Sequence, residues 1–272
     1  MNCSSTLYSW GGNIKISGGV LDLSTKNLDY GNNGNIIIEG GLVKVIRIEP
    51  NSTGLSVNYT QTGGELIVGS SSSSSTVYSP FDLTNGSNFT LSGGTITVQR
   101  SSSFTSDYSN LASTNTVTGG TLQIGNSSTP ASQTIRINST APVYNLVVNA
   151  TNSPTAQLVT NGVTVKNDLT ISGGTLDANN LNISVGGNWS NNGTFSAGSG
   201  TVTLNGTAAQ NLTGNNPTTF NNLILNNGNG LTINGSVNAT VHGTLTFTSG
   251  VITTGNNKVI IGPTGSVSRT SG

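Results

Sequence analysis

Nine of the chain's ionisable acids and bases, half of its nine Lys and Arg plus nine Asp and Glu, crowd toward the N-terminus: Lys15, Asp22, Lys26, Asp29, Glu39, Lys44, Arg47, Glu49 and Glu65. This is where acid–base chemistry would be sought. Asp22 follows Gly18-Gly19 and Lys44 follows Gly40-Gly41 at the same offset, while Glu65 comes directly after Gly63-Gly64. If these units stack as strands, Asp22 and Lys44 stand on one outer face about 5 Å apart. A base on such a face suits a polysaccharide lyase; paired carboxylates suit a hydrolase, whose stereochemical outcome follows their separation. No second acid is expected beside Asp22. The favoured reading is a surface ion pair, which contributes little.

Other chemistry is sparsely represented. Arg100, Phe104 and Tyr108 lie in a Ser-rich stretch and could form a small sugar-binding platform, since loops on rigid scaffolds often carry binding residues. The competing expectation tucks both rings against the scaffold. His242 is the sole histidine, in Val241-His242-Gly243-Thr244, and a Ser-His-Asp relay would also need a strained nucleophile turn that is absent. The Gly pairs precede strands, whereas a phosphate-binding loop precedes a helix. The calcium-binding Gly-Gly-x-Gly-x-Asp pattern does not occur. Cys3 is the only cysteine, which rules out an intrachain disulfide and a CxxC metal site. The expectation is no catalytic residue, no metal and no cofactor.

What would position such residues is a repeat. Gly-Gly followed by alternating aliphatics recurs at Gly18-Gly19, Gly40-Gly41, Gly63-Gly64, Gly93-Gly94, Gly119-Gly120 and Gly173-Gly174, with echoes at Ser199-Gly200 and Ser249-Gly250. Asn145-Leu-Val-Val and Asn222-Leu-Ile-Leu fill the long gaps, giving roughly ten units. Side chains alternate between faces along a strand. Leu21, Val43, Leu66, Ile96, Leu122, Leu176, Val202 and Ile252 are therefore expected in one inward column, with Leu23, Val45, Val68, Val98, Ile124, Ala178 and Leu204 in a second. Stacked units would bury continuous aliphatic ladders and let each strand bond those above and below. The fold class is all-β: a right-handed parallel β-helix of roughly ten coils, the hand following the rule for parallel crossovers. A β-sandwich pair is the competing arrangement. The constant aliphatic register favours the solenoid. Residues 1–272 read as one domain, with Ser-rich loop insertions around 70–80 and 100–116.

Composition narrows the function classes. Charged residues make up 7% and aromatics 5% of the chain, and the net charge is zero. That removes a basic footprint for nucleic acid. No run approaches 18 apolar residues, so no membrane insertion by a helix is expected. Asn-x-Ser/Thr sequons such as Asn51, Asn58, Asn88, Asn188, Asn205 and Asn238 are frequent, but Asn, Ser and Thr are frequent too. They are compatible with glycosylation without arguing for it. The C-terminal residues, from Lys258 onward, keep the strand-and-turn rhythm without a polar cap, which suggests an excerpt of a longer chain or a filament subunit.

The stretch Ile171-Ser-Gly-Gly-Thr-Leu-Asp-Ala-Asn-Asn-Leu-Asn-Ile-Ser-Val-Gly-Gly-Asn-Trp-Ser-Asn-Asn-Gly-Thr-Phe-Ser-Ala-Gly-Ser-Gly-Thr-Val-Thr-Leu-Asn-Gly, continued by Phe220-Asn-Asn-Leu-Ile-Leu-Asn-Asn, resembles repeat regions of very large secreted surface proteins, best represented among Bacteroidota. The resemblance covers the chain well from about Val163 to its end, and the earlier units loosely. It implies an adhesin-type or matrix protein exported by the type IX pathway through a separate C-terminal sorting domain, which these residues do not contain. The expected function is noncatalytic: an extracellular, cell-surface stalk, adhesin segment or filament building block. Its partners would be further copies stacked end to end, or surface glycans. The alternative is a carbohydrate-active β-helix, a lyase or binding module working near Asp22, Lys44 and Glu65. A remote alternative is ice binding by Thr95-x-Thr97 and Thr201-x-Thr203, in rows that Lys44, Ile67, Gln123 and Asp177 would interrupt.

Overall fold

A computed structural model describes residues 6–9, 11–71 and 77–270. Among them there is no helix, and every strand pairing is parallel, one coil to the next, in a parallel β-helix of about twelve turns. Each coil visits three faces in turn. The first face is a nine-stranded sheet running from Leu7–Ser9 to Thr194–Ser196, continued by the three strands Thr218–Phe220, Ala239–Val241 and Val259–Ile261. The second is a five-stranded sheet from Asn13–Ile16 to Thr114–Val117. After a coil joined only by the Val143–Val165 bridge, this face resumes as six strands from Val163–Val165 to Ser266–Arg269. The third is an unbroken eleven-stranded sheet from Val20–Leu23 to Ile252–Thr253.

Alternation puts aliphatics inside because each strand has one dry face. On the third face the inward column runs Val43, Leu66, Ile96, Leu122, Leu146, Leu169, Trp189 and Leu212, all buried and in register. Aromatic stacks reinforce it at two levels. Phe81 stacks on Tyr108 with ring centres 4.9 Å apart, and Tyr59 on Phe89 at 5.6 Å. Further along, Trp189 meets Phe195 edge-on at 4.8 Å. Fully burying each such side chain stabilises the fold by roughly 1.5–3 kcal/mol.

The Gly pairs turn the corner into the third face. Gly64 and Gly94 both have positive φ, +67° and +76°. A Cβ on Gly94 would come within 2.5 Å of the Gly63 carbonyl oxygen, and one on Gly64 within 2.7 Å of the Gly40 carbonyl carbon. Backbone therefore lies on backbone at this corner, in a conformation that L residues with side chains disfavour. Recurrence of Gly-Gly follows from stacking.

Three sequence expectations need correction. Coils number about twelve, because the coil from Leu169 to its partner Trp189 is far shorter than the one from Leu66 to Ile96, and several corners use residues other than Gly-Gly. Leu21, Val43, Leu66, Ile96 and Leu122 do share a column, but Leu176 lies on the first face and Val202 on the second. Ile252 is on the third face but pairs with Leu231, in another column. The Gly motif marks a corner, and shorter C-terminal coils use it at different corners. Residues 100–116 are not one insertion either: Tyr108–Asn110 and Thr114–Val117 are regular strands of the first and second faces, leaving a short excursion before Tyr108. Of the Ser run from Ser70 to Ser75, Ser72 onward lies outside the described residues, as do Cys3 and Thr76.

Candidate functional site

The three residues expected to form a platform are not brought together. Arg100, two residues beyond strand Thr95–Val98, donates from Nη1 to the Ser70 carbonyl at 3.0 Å and from Nη2 to the Ser128 carbonyl at 3.2 Å, bracing turns of the coils on either side. Phe104 is half-buried in the excursion, where its amide donates to Ser102 Oγ. Tyr108 is only 1% exposed, with its ring inside the helix against Phe81. It occupies the inward position of its strand and cannot serve an exposed platform. What organises the excursion is Asp107, fully buried. Its carboxylate accepts from Ser102 N (2.6 Å) and Oγ (2.9 Å) and from Arg136 N (2.7 Å), Nε (3.0 Å) and Nη2 (3.1 Å).

Asp22 and Lys44 do stand in register on neighbouring strands of the third face. The Asp22 carboxylate is taken up locally, accepting from the Ser24 amide at 2.9 Å and from the Ser24 hydroxyl. These bonds hold it below the usual carboxylate range, with Lys44 adding a smaller pull. Glu65 falls one outward column away, paired with Leu42 and Thr95, and accepts from Thr97 Oγ1 at 3.1 Å. The residue in line with Lys44 is Ile67. The expected acid–base row thus stops at Asp22 and Lys44.

A longer row stands on the first face. Strands Leu28–Tyr30, Ile48–Pro50 and Phe81–Leu83 are consecutive, with Asp29 paired to Glu49 and Phe81 to Ile48, which sets Asp82 beside Glu49. The alternation turns three carboxylates outward at one strand spacing, about 4.8 Å. All are nonetheless covered: Asp29 is 8% exposed, Glu49 5% and Asp82 7%. Glu49 is the compensated member. Arg47 Nε reaches its Oε2 at 2.7 Å, Arg47 Nη2 its Oε1 at 3.0 Å, and Asn27 Nδ2 donates to Oε1 at 2.6 Å. Asp82 accepts one backbone bond, from Ser79 N at 3.0 Å. Asp29 Oδ1 is buried with no hydrogen-bond partner.

Burial, followed by repulsion from Glu49, pushes Asp29 up to about 6, with Arg47 pulling the other way. Burial also pushes Asp82 up to about 6, with the Ser79 bond opposing and Glu49 adding to the rise. The Tyr78 phenol is raised by burial and then by Glu49, Asp82 and Asp29. The row therefore combines one salt-bridged carboxylate with two neighbours that hold a proton into the mildly acidic range. Carboxylates whose proton affinity is raised by their surroundings are what acid–base catalysis uses, but these are shut away from solvent. The sequence signal was present in three apolar–acid–apolar triplets, Leu28-Asp29-Tyr30, Ile48-Glu49-Pro50 and Phe81-Asp82-Leu83. Uneven spacing between the second and third obscured it.

His242 lies at a corner, where its amide donates to the Phe220 carbonyl, and it lines a small cavity of about 190 Å³ with Phe195, Thr219, Phe220 and Asn221. Among the described residues no group of three or more His, Cys, Asp or Glu side chains could hold a metal ion, and no helix is long and apolar enough to cross a membrane. No protein-family description, curated protein or solved structure matches the chain.

Proposed function

We propose that this β-helix is a noncatalytic structural element: an extracellular, cell-surface stalk, adhesin segment or filament building block. The observation that carries the reading is the continuity of its ladders, with the third-face sheet running unbroken through eleven strands over an apolar core. About twelve coils at 4.8 Å give a stiff body roughly 55 Å long. Its surface is mostly neutral amides and hydroxyls. The resemblance of residues 171–206 and 220–227 to Bacteroidota-type secreted surface repeats supports placement in a type IX-exported protein. Covered acids also fit this reading better than a carbohydrate-active one, since a substrate would have to reach carboxylates no more than 8% exposed.

The proposed partners are further copies of this chain stacked end to end. The last strand of the second face, Ser266–Arg269, is exposed throughout, and Val267, stacked over buried Leu245, is 58% exposed. A strand of another copy could continue this ladder, a head-to-tail contact that makes filaments where it does not close. Surface glycans are the other partner class. Electron microscopy and light scattering of the purified chain over a concentration series test the assembly. Linear particles lengthening in steps of one rod are expected; isolated particles at every concentration would remove the filament role. Release of unsaturated products from uronic-acid polymers would overturn the noncatalytic reading.

A further inference from the structure

The second face differs from the other two in what it presents to solvent. In its first half the outward rows are Asn13, Asn35, Asn58, Asn88, Thr114 and, one outward position further along each strand, Lys15, Ile37, Thr60, Thr90, Thr116. The four asparagines are bonded to one another, Nδ2 to Oδ1, at 2.7, 3.0 and 2.6 Å. Past the Val143–Val165 bridge, one row reads Thr164, Ser184, Thr203, Ile224, Thr246, Ser268, beside a shorter row that contains Thr201, Asn222, Thr244 and Ser266. Beyond Lys15, which is paired with Glu39 at 2.8 Å, these rows carry no charge and no aromatic ring.

The interruptions expected from sequence lie elsewhere. Lys44, Ile67 and Gln123 belong to the third face and Asp177 to the first, so none of them breaks the row through Thr203. Thr95-x-Thr97, on the third face, is not part of it. The hydroxyls of Thr60, Thr90, Thr116, Thr164, Thr203 and Thr246 bond no other described group. Thr60, Thr90 and Thr116 follow one another at one strand spacing, about 4.8 Å, and Thr164, Thr203 and Thr246 at two, with Ser184 and Ile224 between them; Thr114 and Thr201 add threonines one outward position away, roughly 6.8 Å along the strand.

A ligand matched to this face is neutral, repeats at the strand spacing along the coil axis, and needs neither a cation nor an aromatic platform. Those terms disfavour glycans, which stack apolar ring faces on aromatic side chains. They fit an ice surface, where oxygens repeat in a flat lattice of comparable spacing and water ordered between hydroxyl rows can join the crystal. Many weak, regularly placed contacts then act together, as in any multivalent attachment. We propose that the second face binds ice. The inference is independent of the stalk reading.

The test is nanolitre osmometry on the full chain with two variants. Thr90→Lys combined with Thr203→Lys places a long charged side chain in each half of the face; Ser190→Lys places the same group outward on the third face. Faceted crystals and a gap between melting and freezing points are expected for the native chain and for S190K, with both lost in T90K/T203K. A circular dichroism melt verifies that the variants fold. Ice-affinity partitioning of the labelled native chain is the second readout, with enrichment in the ice fraction expected. Rounded, unshaped crystals with the native chain excluded from ice would overturn the proposal, as would equal loss of activity in S190K.

Discussion

Replacing Asp29 with Asn should stabilise this protein at neutral pH, although the change removes a charge from a row of polar residues. The reason lies in the stacking of Asp29, Glu49 and Asp82, in which Arg47 is salt-bridged to Glu49 and Asp29 Oδ1 has no donor. The folded state holds the Asp29 proton up to about pH 6, against 3.8 for an ordinary Asp side chain. A raised value means that folding takes up a proton between these limits. The Asp29 contribution to stability is therefore fully favourable below about 3.8 and is lost as pH rises through about 6. At 1.36 kcal/mol per pH unit the full shift corresponds to about 3 kcal/mol, and water entry with coupling to Glu49 reduces this to about 1–3 kcal/mol. Asn fits the same space, carries no charge, and can donate to Glu49. Repeat arrays need not unfold in one step, so the measurement should be local: hydrogen exchange across Leu28–Tyr30 and Phe81–Leu83 at pH 7.5, 6.0 and 5.0, corrected for intrinsic rates. In the native chain, protection should rise as pH falls through 6. In D29N it should start higher at pH 7.5 and change less. Lower protection in D29N at pH 7.5, or an undiminished pH slope, would refute the reasoning.

Other substitutions probe the remaining supports. Asp82→Asn should behave as D29N does, since burial and Glu49 raise both acids, and the gains of the two changes should nearly add in D29N/D82N because Glu49 stands between them; chemical denaturation at pH 7.5 measures the sum. Arg136→Met leaves the Asp107 carboxylate buried without its cation and should cost about 3–5 kcal/mol, visible as a lower thermal midpoint and as protease cutting between residues 100 and 107. Gly94→Ala combines positive φ with a backbone clash and should cost well over 1 kcal/mol, whereas Gly12→Ala, with open space around its Cβ and no positive φ, should be nearly neutral in the same melt. Asn58→Ala removes two rungs of the asparagine ladder and should lower stability by about 0.5–1.5 kcal/mol per bond, with exposure favouring the lower figure.

Regularity made some of this structure legible and concealed the rest. Val43, Leu66, Ile96 and Leu122 announce themselves because inward columns on one face repeat at a fixed offset from Gly-Gly, and the Asp22–Lys44 register followed from the same offset. The equivalence failed at Leu176 and Val202 because the offset belongs to a corner, and the short coils beyond Leu169 reach that corner on a different face from the long coils before it. Tyr108 was misplaced for a related reason. The surrounding Ser-rich residues look like loop, and only the register opposite Phe81 and Ile137 shows an inward strand position. The acid row escaped notice because its members follow apolar residues at irregular intervals. Their burial beside one another is a property of three-dimensional stacking, which local composition does not encode. The hydroxyl face was legible only in part: Thr201-x-Thr203 does belong to it, but Thr95-x-Thr97 lies on the third face, because the rows are interleaved in sequence with residues that point elsewhere.

The direction of the interstrand bonds bears on how such a body yields to load. Because they run along the axis from coil to coil, tension applied between the two extremities falls on one layer at a time, and the outermost turn detaches before its neighbour is disturbed. Each detachment would release one coil's worth of chain, roughly 70 to 100 Å of slack at about 3.4 Å per residue. A tether made this way lengthens by instalments under pull and, once slack, can rewind from whatever turns remain.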